Sequence, residues 1–193
     1  DSSKPPSFDR AFGGTEWREC VSLPKQERRS NLLRLYKEAL QDRDRGNAKY
    51  VQSFMMFDKH DTPLYWLLFC TNHLRGLEEM KRAMWSVDRT GNFRFSDREA
   101  PGQQYLLGNH YGDEWLADEL QSEFKGKTVT AADVRKYVLT ATPCYLFRPA
   151  LKKLESDAQR RIKVVDAPAE RKPGTFPDGA LDRISIRFEG TLF

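Results

Sequence analysis

Apolar and polar positions along this chain alternate in two rhythms, one of strands and one of helices. The densest apolar run is Leu64-Tyr65-Trp66-Leu67-Leu68-Phe69-Cys70, uncharged and rich in aromatic rings. Bounded by turn signals, it predicts a strand buried on both faces, with Leu67 and Phe69 in the core. Thr71, Asn72 and His73 follow, and their short polar side chains can accept from the free N–H groups of a helix start. Leu77, Met80, Ala83 and Met84 then recur at spacings of three and four, one apolar helical face. Strand, polar turn and helix make an α/β unit. Its turn lies at the carboxyl end of the strand, where open α/β sheets place ligand sites. Thr71, Asn72 and His73 are therefore a candidate substrate edge. The competing reading is a plain helix cap, because no nearby carboxylate in sequence would orient His73 as a base.

Upstream, Phe12-Gly13-Gly14-Thr15-Glu16-Trp17 predicts a glycine turn and a short helix capped by Thr15, with Phe12 and Trp17 anchoring a packed corner. Pro24 at the first helical position predicts a helix to about residue 43, with Leu32, Leu33, Tyr36, Ala39 and Leu40 inward. Its other face carries Arg28, Arg29, Arg34, Lys37, Glu38, Asp42 and Arg43. Both signs of charge fit a solvated face better than a nucleic-acid contact. Gly46-Asn47 ends the helix. Residues 50–57 and 64–70, joined through Asp58-Lys59-His60-Asp61, predict a β-hairpin. His60 between two aspartates is the one local set with metal-ligand chemistry, but polar residues on a hairpin tip ordinarily make a turn, and no metal site is expected.

Residues 87–111 show no sustained period, although Phe93 and Phe95 alternate with polar neighbours as in a short edge strand. A connection this long marks a boundary, giving domains at 1–108 and 109–193. Beyond it the signals are helical. Asp113 caps a helix to about Phe124, with Trp115, Leu116, Leu120 and Phe124 inward and Gly126 as its stop. Thr130 caps a second, with Val134, Tyr137 and Val138 inside. Thr142-Pro143 reads as a third start, with Tyr145, Leu146, Ala150, Leu151 and Leu154 in the core; Pro149 either bends that helix or moves its true start. Residues 161–165 and 183–188 alternate as strands around a proline- and glycine-rich excursion. Three helices followed by a hairpin is the winged-helix order.

Composition narrows the class. At 193 residues, 39% hydrophobic and 31% charged, the chain suits one ordinary globular domain or two small ones. No apolar run approaches the roughly 18 residues of a membrane span, and no signal peptide is visible, so no membrane partner is expected. Cys20, Cys70 and Cys144 lie far apart, an odd and dispersed set that argues for a reducing, cytoplasmic compartment and against a disulfide framework or zinc site. No glycine-rich dinucleotide turn follows a strand, and no D/E/H/K cluster with metal-ligand spacing points to a nuclease. Charge is informative through its distribution. Between Cys144 and Pro173 stand Arg148, Lys152, Lys153, Arg160, Arg161, Lys163, Arg171 and Lys172, eight bases against four acids, so this stretch holds the chain's whole net charge of +4. Positive charge gathered on a third helix and wing is what contact with phosphates requires, and these eight are the candidate nucleic-acid-binding residues.

The pattern L-Y-W-L-L-F-C-T-N-H-x-x-G-L-x-x-M (Leu64 to Met80) resembles the C-terminal part of the three-Cys-motif partner proteins. Phe12-Gly13-Gly14-Thr15-Glu16-Trp17, Thr142-Pro143-Cys144 and Gly174-Thr175-Phe176-Pro177 extend the resemblance over almost the whole chain, in one order. None of these is a catalytic signature. The family is bacterial, is similar to class I S-adenosylmethionine-dependent methyltransferases, and commonly ends in a winged helix. The resemblance implies an α/β (α+β) chain: the C-terminal part of a Rossmann-like methyltransferase sheet, hairpin plus helices, followed by a winged-helix domain. It also implies that the half binding S-adenosylmethionine lies upstream of Asp1, that no catalytic residue can be named here, and that a three-Cys-motif protein is a candidate partner. The alternative is a non-catalytic adaptor whose winged helix docks a partner protein.

Overall fold

The structure, a computed structural model, describes residues 6–58, 60, 62–88, 94–96, 111–158 and 161–190. The boundary expected near residue 108 lies outside these residues. The chain divides into two compact units, one of residues 1–53 and 67–77, the other of residues 54–66 and 78–193.

In the first unit, helix α1 (Pro6–Phe12), a 3-10 turn (Glu16–Ser22) and helix α2 (Lys25–Gln41) hold an aromatic cluster. The rings of Phe8 and Trp17 lie 5.4 Å apart, and Phe12 meets Tyr36 edge-on at 5.6 Å. The indole N–H of Trp17 donates to Asp9 at 2.9 Å, which lets a buried tryptophan keep its polar edge satisfied. Gly13 turns at φ 72°, a backbone conformation that calls for glycine, while the Arg45 side chain lies against it. The packed corner expected from this motif is present. Thr15 precedes the 3-10 turn but makes no side-chain cap bond, and Pro24 stands one position before α2 instead of opening it. Asn47, at φ 49°, provides the left-handed residue after α2; its N–H donates to the Asp42 carbonyl and that of Ala48 to Leu40.

Strands β1 (Tyr50–Phe57), β2 (Pro63–Thr71) and β3 (Arg94–Ser96) form a sheet of order β2-β1-β3, with β3 parallel to β1 and Met55 opposite Arg94. At the hairpin tip, Asp58 accepts from the backbone N–H groups of His60 and Thr62, each at 2.8 Å, as a polar turn does. β1 buries Ser53, Phe54 and Met55. β2 corrects the expectation of a strand buried on both faces. Leu64, Tyr65, Trp66 and Leu67 are 56%, 57%, 36% and 47% exposed, and Phe69 is only half-buried. β2 is also the edge of its sheet: among the described residues no further strand lies beside it.

Helix α3 (Leu74–Val87) starts where Thr71-Asn72-His73 predicted. Its buried positions are Leu77, Glu78, Lys81 and Met84, while Met80 is half-buried and Ala83 exposed, so the inward stripe is rotated from the expected one.

In the second unit, helices α4 (Asp113–Phe124), α5 (Ala131–Ala141) and α6 (Arg148–Ser156) pack with strands β4 (Thr128–Thr130), β5 (Ile162–Asp166) and β6 (Ser185–Phe188). The strands form an antiparallel sheet of order β4-β6-β5. A 3-10 turn (Asp178–Arg183) leads into β6. Leu116, Leu120, Val134, Val138, Phe147, Leu151, Leu154, Ile184, Ile186 and Phe188 make one core. α5 opens with a capping box: Thr130 accepts from the Asp133 N–H, and the Asp133 carboxylate accepts from the Thr130 N–H, both at 3.1 Å. Gly112, not Asp113, is the cap residue of α4, and Gly126 at φ 74° ends its turn. α6 begins at Arg148, with Pro149 in its first turn, so Thr142-Pro143 starts no helix. Thr142 instead closes α5: its hydroxyl donates to Val138 and accepts from the Cys144 N–H. The later start carries Leu146 out to 46% exposure and puts Phe147 in the core.

Candidate nucleic-acid interface

The eight basic residues divide sharply by partner. Arg148 pairs with Asp178, donates to the Phe176 carbonyl at 2.7 Å and lies 4.8 Å over the Phe147 ring. Lys153 pairs with Glu114, whose carboxyl it holds below the ordinary carboxylate range. Arg161 bridges Asp118 at 2.6 Å and Asp157 at 2.8 Å. Arg171 forks onto both oxygens of Glu155, at 3.0 and 2.6 Å, and stacks 4.7 Å over Phe176. Glu155 also accepts from the N–H of Gly174, which turns at φ 75°, so one carboxylate pins the loop 167–177 to α6. These four cations are committed to the fold. Arg160 lies outside the described residues.

Lys152, Lys163 and Lys172 are exposed, and no carboxylate among the described residues pairs with them. The stem of Lys152 runs beside Gly174, where a Cβ would sit 3.2 Å from its Cγ, so α6 and the loop after β5 present Lys152 close to the segment that carries Lys172. Lys163 stands on β5, directly opposite Arg187 of β6. Arg187 was not singled out in the sequence; only the register of the two strands brings it beside Lys163.

Thr71, Asn72 and His73 precede α3, but among the described residues none of their side chains accepts from an N–H of that helix, so the expected side-chain cap is not made. The Thr71 hydroxyl accepts from the His73 N–H at 3.1 Å, and the Asn72 amide oxygen accepts from the Lys49 N–H at 2.7 Å. The His73 ring is exposed and has no side-chain partner among the described residues. Among the described residues, no group of three or more His, Cys, Asp or Glu side chains comes together as metal ligands. No helix in them is long and apolar enough to cross a membrane. Cys20 and Cys144 are buried and Cys70 exposed, all as free thiols.

One functional-looking group escaped the sequence. Lys81 of α3 is 1% exposed, and its ammonium donates to the carbonyls of Val138, Thr142 and Cys144. Three donors meet three acceptors at the C-terminal end of α5, where the helix dipole favours a cation. Burial nevertheless pushes its pKa down to about 8, partly offset by Cys144, while burial pushes the Cys144 thiol up to about 11. On the same helix, Glu78 pairs with Arg135, and the Trp85 indole donates to the Pro143 carbonyl at 2.8 Å. The arrangement is a structural clamp: the ammonium of a buried lysine is taken up by three carbonyls of the fold. The signal that could have found it was the spacing Leu77, Lys81, Met84, one helical stripe with a lysine in its middle.

Against protein-family models, curated proteins and solved structures alike, the chain finds no match.

Proposed function

We propose that the second unit is a winged-helix module that holds nucleic acid by its phosphates, attached to the end of a methyltransferase-like sheet. The observation that carries this reading is the chain order α4-β4-α5-α6-β5-β6, with the strands in one sheet of order β4-β6-β5 and two of the basic stretch's unpaired cations, Lys152 and Lys172, on α6 and on the loop between β5 and β6. In this reading α6 faces the groove and the loop 167–177, held rigid by Glu155, grips the backbone. The first sheet supports the other half of the proposal. β2 is uncharged over nine residues and, among the described residues, has no strand on its outer edge, which fits a strand made for the interior of a wider α/β sheet. S-adenosylmethionine would then be bound mainly by residues that this chain does not contain, and the chemistry would lie there too.

The test is fluorescence anisotropy with labelled duplex DNA and single-stranded RNA of matched length, across a salt series. A Lys152→Glu/Lys172→Glu variant should lose about tenfold or more in affinity and flatten the salt dependence by about 2 in log–log slope. Unchanged affinity would reject the wing as a nucleic-acid contact. A second reading has its own support: four of the eight bases are in ion pairs with carboxylates of the unit itself, which suits a rigid module that docks a partner protein. Absence of nucleic-acid binding by the unaltered chain would favour that adaptor.

A further inference from the structure

The outer face of the β4-β6-β5 sheet carries a row that the fold does not explain. Thr128, Arg187 and Lys163 are successive partners across the three strands, and all three are exposed. Neighbouring strands lie about 4.8 Å apart, so the row sets a hydroxyl, a guanidinium and an ammonium in line over roughly 10 Å. Like charges placed directly opposite each other in an antiparallel pair are destabilising. Among the described residues the ion pair made by either cation is Arg187 with Glu189 at 3.7 Å, both side chains about half exposed, which gives little compensation. Behind the row the sheet is ordinary: Ile162, Ile186 and Phe188 are buried in the core. A favourable pair such as glutamate opposite arginine would fit either position without touching that core.

We propose that Thr128, Lys163 and Arg187 form a contact surface for the phosphate backbone of a bound nucleic acid, a second track beside the Lys152 and Lys172 surface. This rests on the nucleic-acid reading above. A phosphate row accepts from both cations at once and removes their repulsion, so the free protein gives up stability that binding restores. Charge complementarity selects this occupant: the row presents two cations and a hydroxyl to solvent. Thr128, with its hydroxyl, can donate to a phosphate oxygen at the end of the row.

Lys163→Glu gives the decisive measurement, because it turns a repulsive pair into an attractive one. It should raise the melting temperature of the free protein while lowering affinity for labelled duplex DNA or single-stranded RNA about tenfold and reducing the log–log salt slope by about 1. Lys163→Gln should show both effects at smaller size, with Thr128→Val weakening binding and leaving the melting temperature unchanged. If Lys163→Glu keeps full affinity while Lys152→Glu/Lys172→Glu loses it, the nucleic-acid reading stands and this track is wrong. If Lys163→Glu lowers the melting temperature, the pair is structural and the inference fails. If the unaltered chain binds neither nucleic acid, both readings fall together.

Discussion

At the scale of single residues, Lys81 makes the sharpest statement about energetics. Its folded pKa of about 8 lies below the ordinary 10.5, so the unfolded chain binds the extra proton between those values. Stability should therefore rise as pH climbs from about 8 to about 10.5, by an amount on the order of 3 kcal/mol for this group. Lys81→Met should remove that rise, read as the difference between the two proteins in urea melts across pH; parallel curves would contradict the assignment. Glu155 sets a second expectation. Its partner Arg171 keeps only 7% of its side chain exposed, so Glu155→Ala leaves a buried cation and should cost about 3–5 kcal/mol in the same assay. Neither role was legible from residue type. A lysine in the chain reads as solvent-exposed, and only the helical phase of Leu77, Lys81 and Met84 places it inside. Glu155 and Arg171 are 16 positions apart, and their meeting depends on how the proline-rich loop folds back.

At the scale of elements, reliability followed the number of independent signals. α5 had a threonine cap, an acidic first turn and an apolar stripe, and it forms where all three agreed. α6 had two competing starts, and the proline inside the helix decided between them, because its ring cannot follow a preceding helical turn. β2 had the strongest hydrophobicity of the chain and the wrong burial, since periodicity reports a strand's needs and topology decides what covers it. This contrast is measurable. Leu67→Ala should change stability by less than about 0.5 kcal/mol, whereas Leu151→Ala, fully buried in α6, should cost about 2–5 kcal/mol. A large loss from Leu67→Ala would mean that the outer edge of β2 is covered in solution. The candidate site was legible as a basic stretch but not as a surface, because ion pairing across 16, 30, 39 and 43 residues separates committed cations from free ones.

For the molecule as a whole, net charge overstates the binding surface. Eight bases between residues 144 and 173 suggest as many phosphate contacts and a log–log salt slope near −7. Of those eight, the described residues leave Lys152, Lys163 and Lys172 unpaired; with Arg187, held by a half-exposed pair with Glu189, added beside Lys163, the slope should be about −3 to −4. Anisotropy titrations at several salt concentrations separate the two values, and a slope near −7 would mean that the internal pairs open on binding. The outer edge of β2, unpaired among the described residues, has a consequence of another kind. Nine uncharged residues ending a sheet, with no lysine or proline gatekeeper beyond Pro63, form a template on which any extended chain can add a strand. Chaperones and quality-control proteases recognise such segments. How long the polypeptide survives in a cell is thus tied to how quickly something shields that strand, and its half-life becomes a gauge of whether the shield is present.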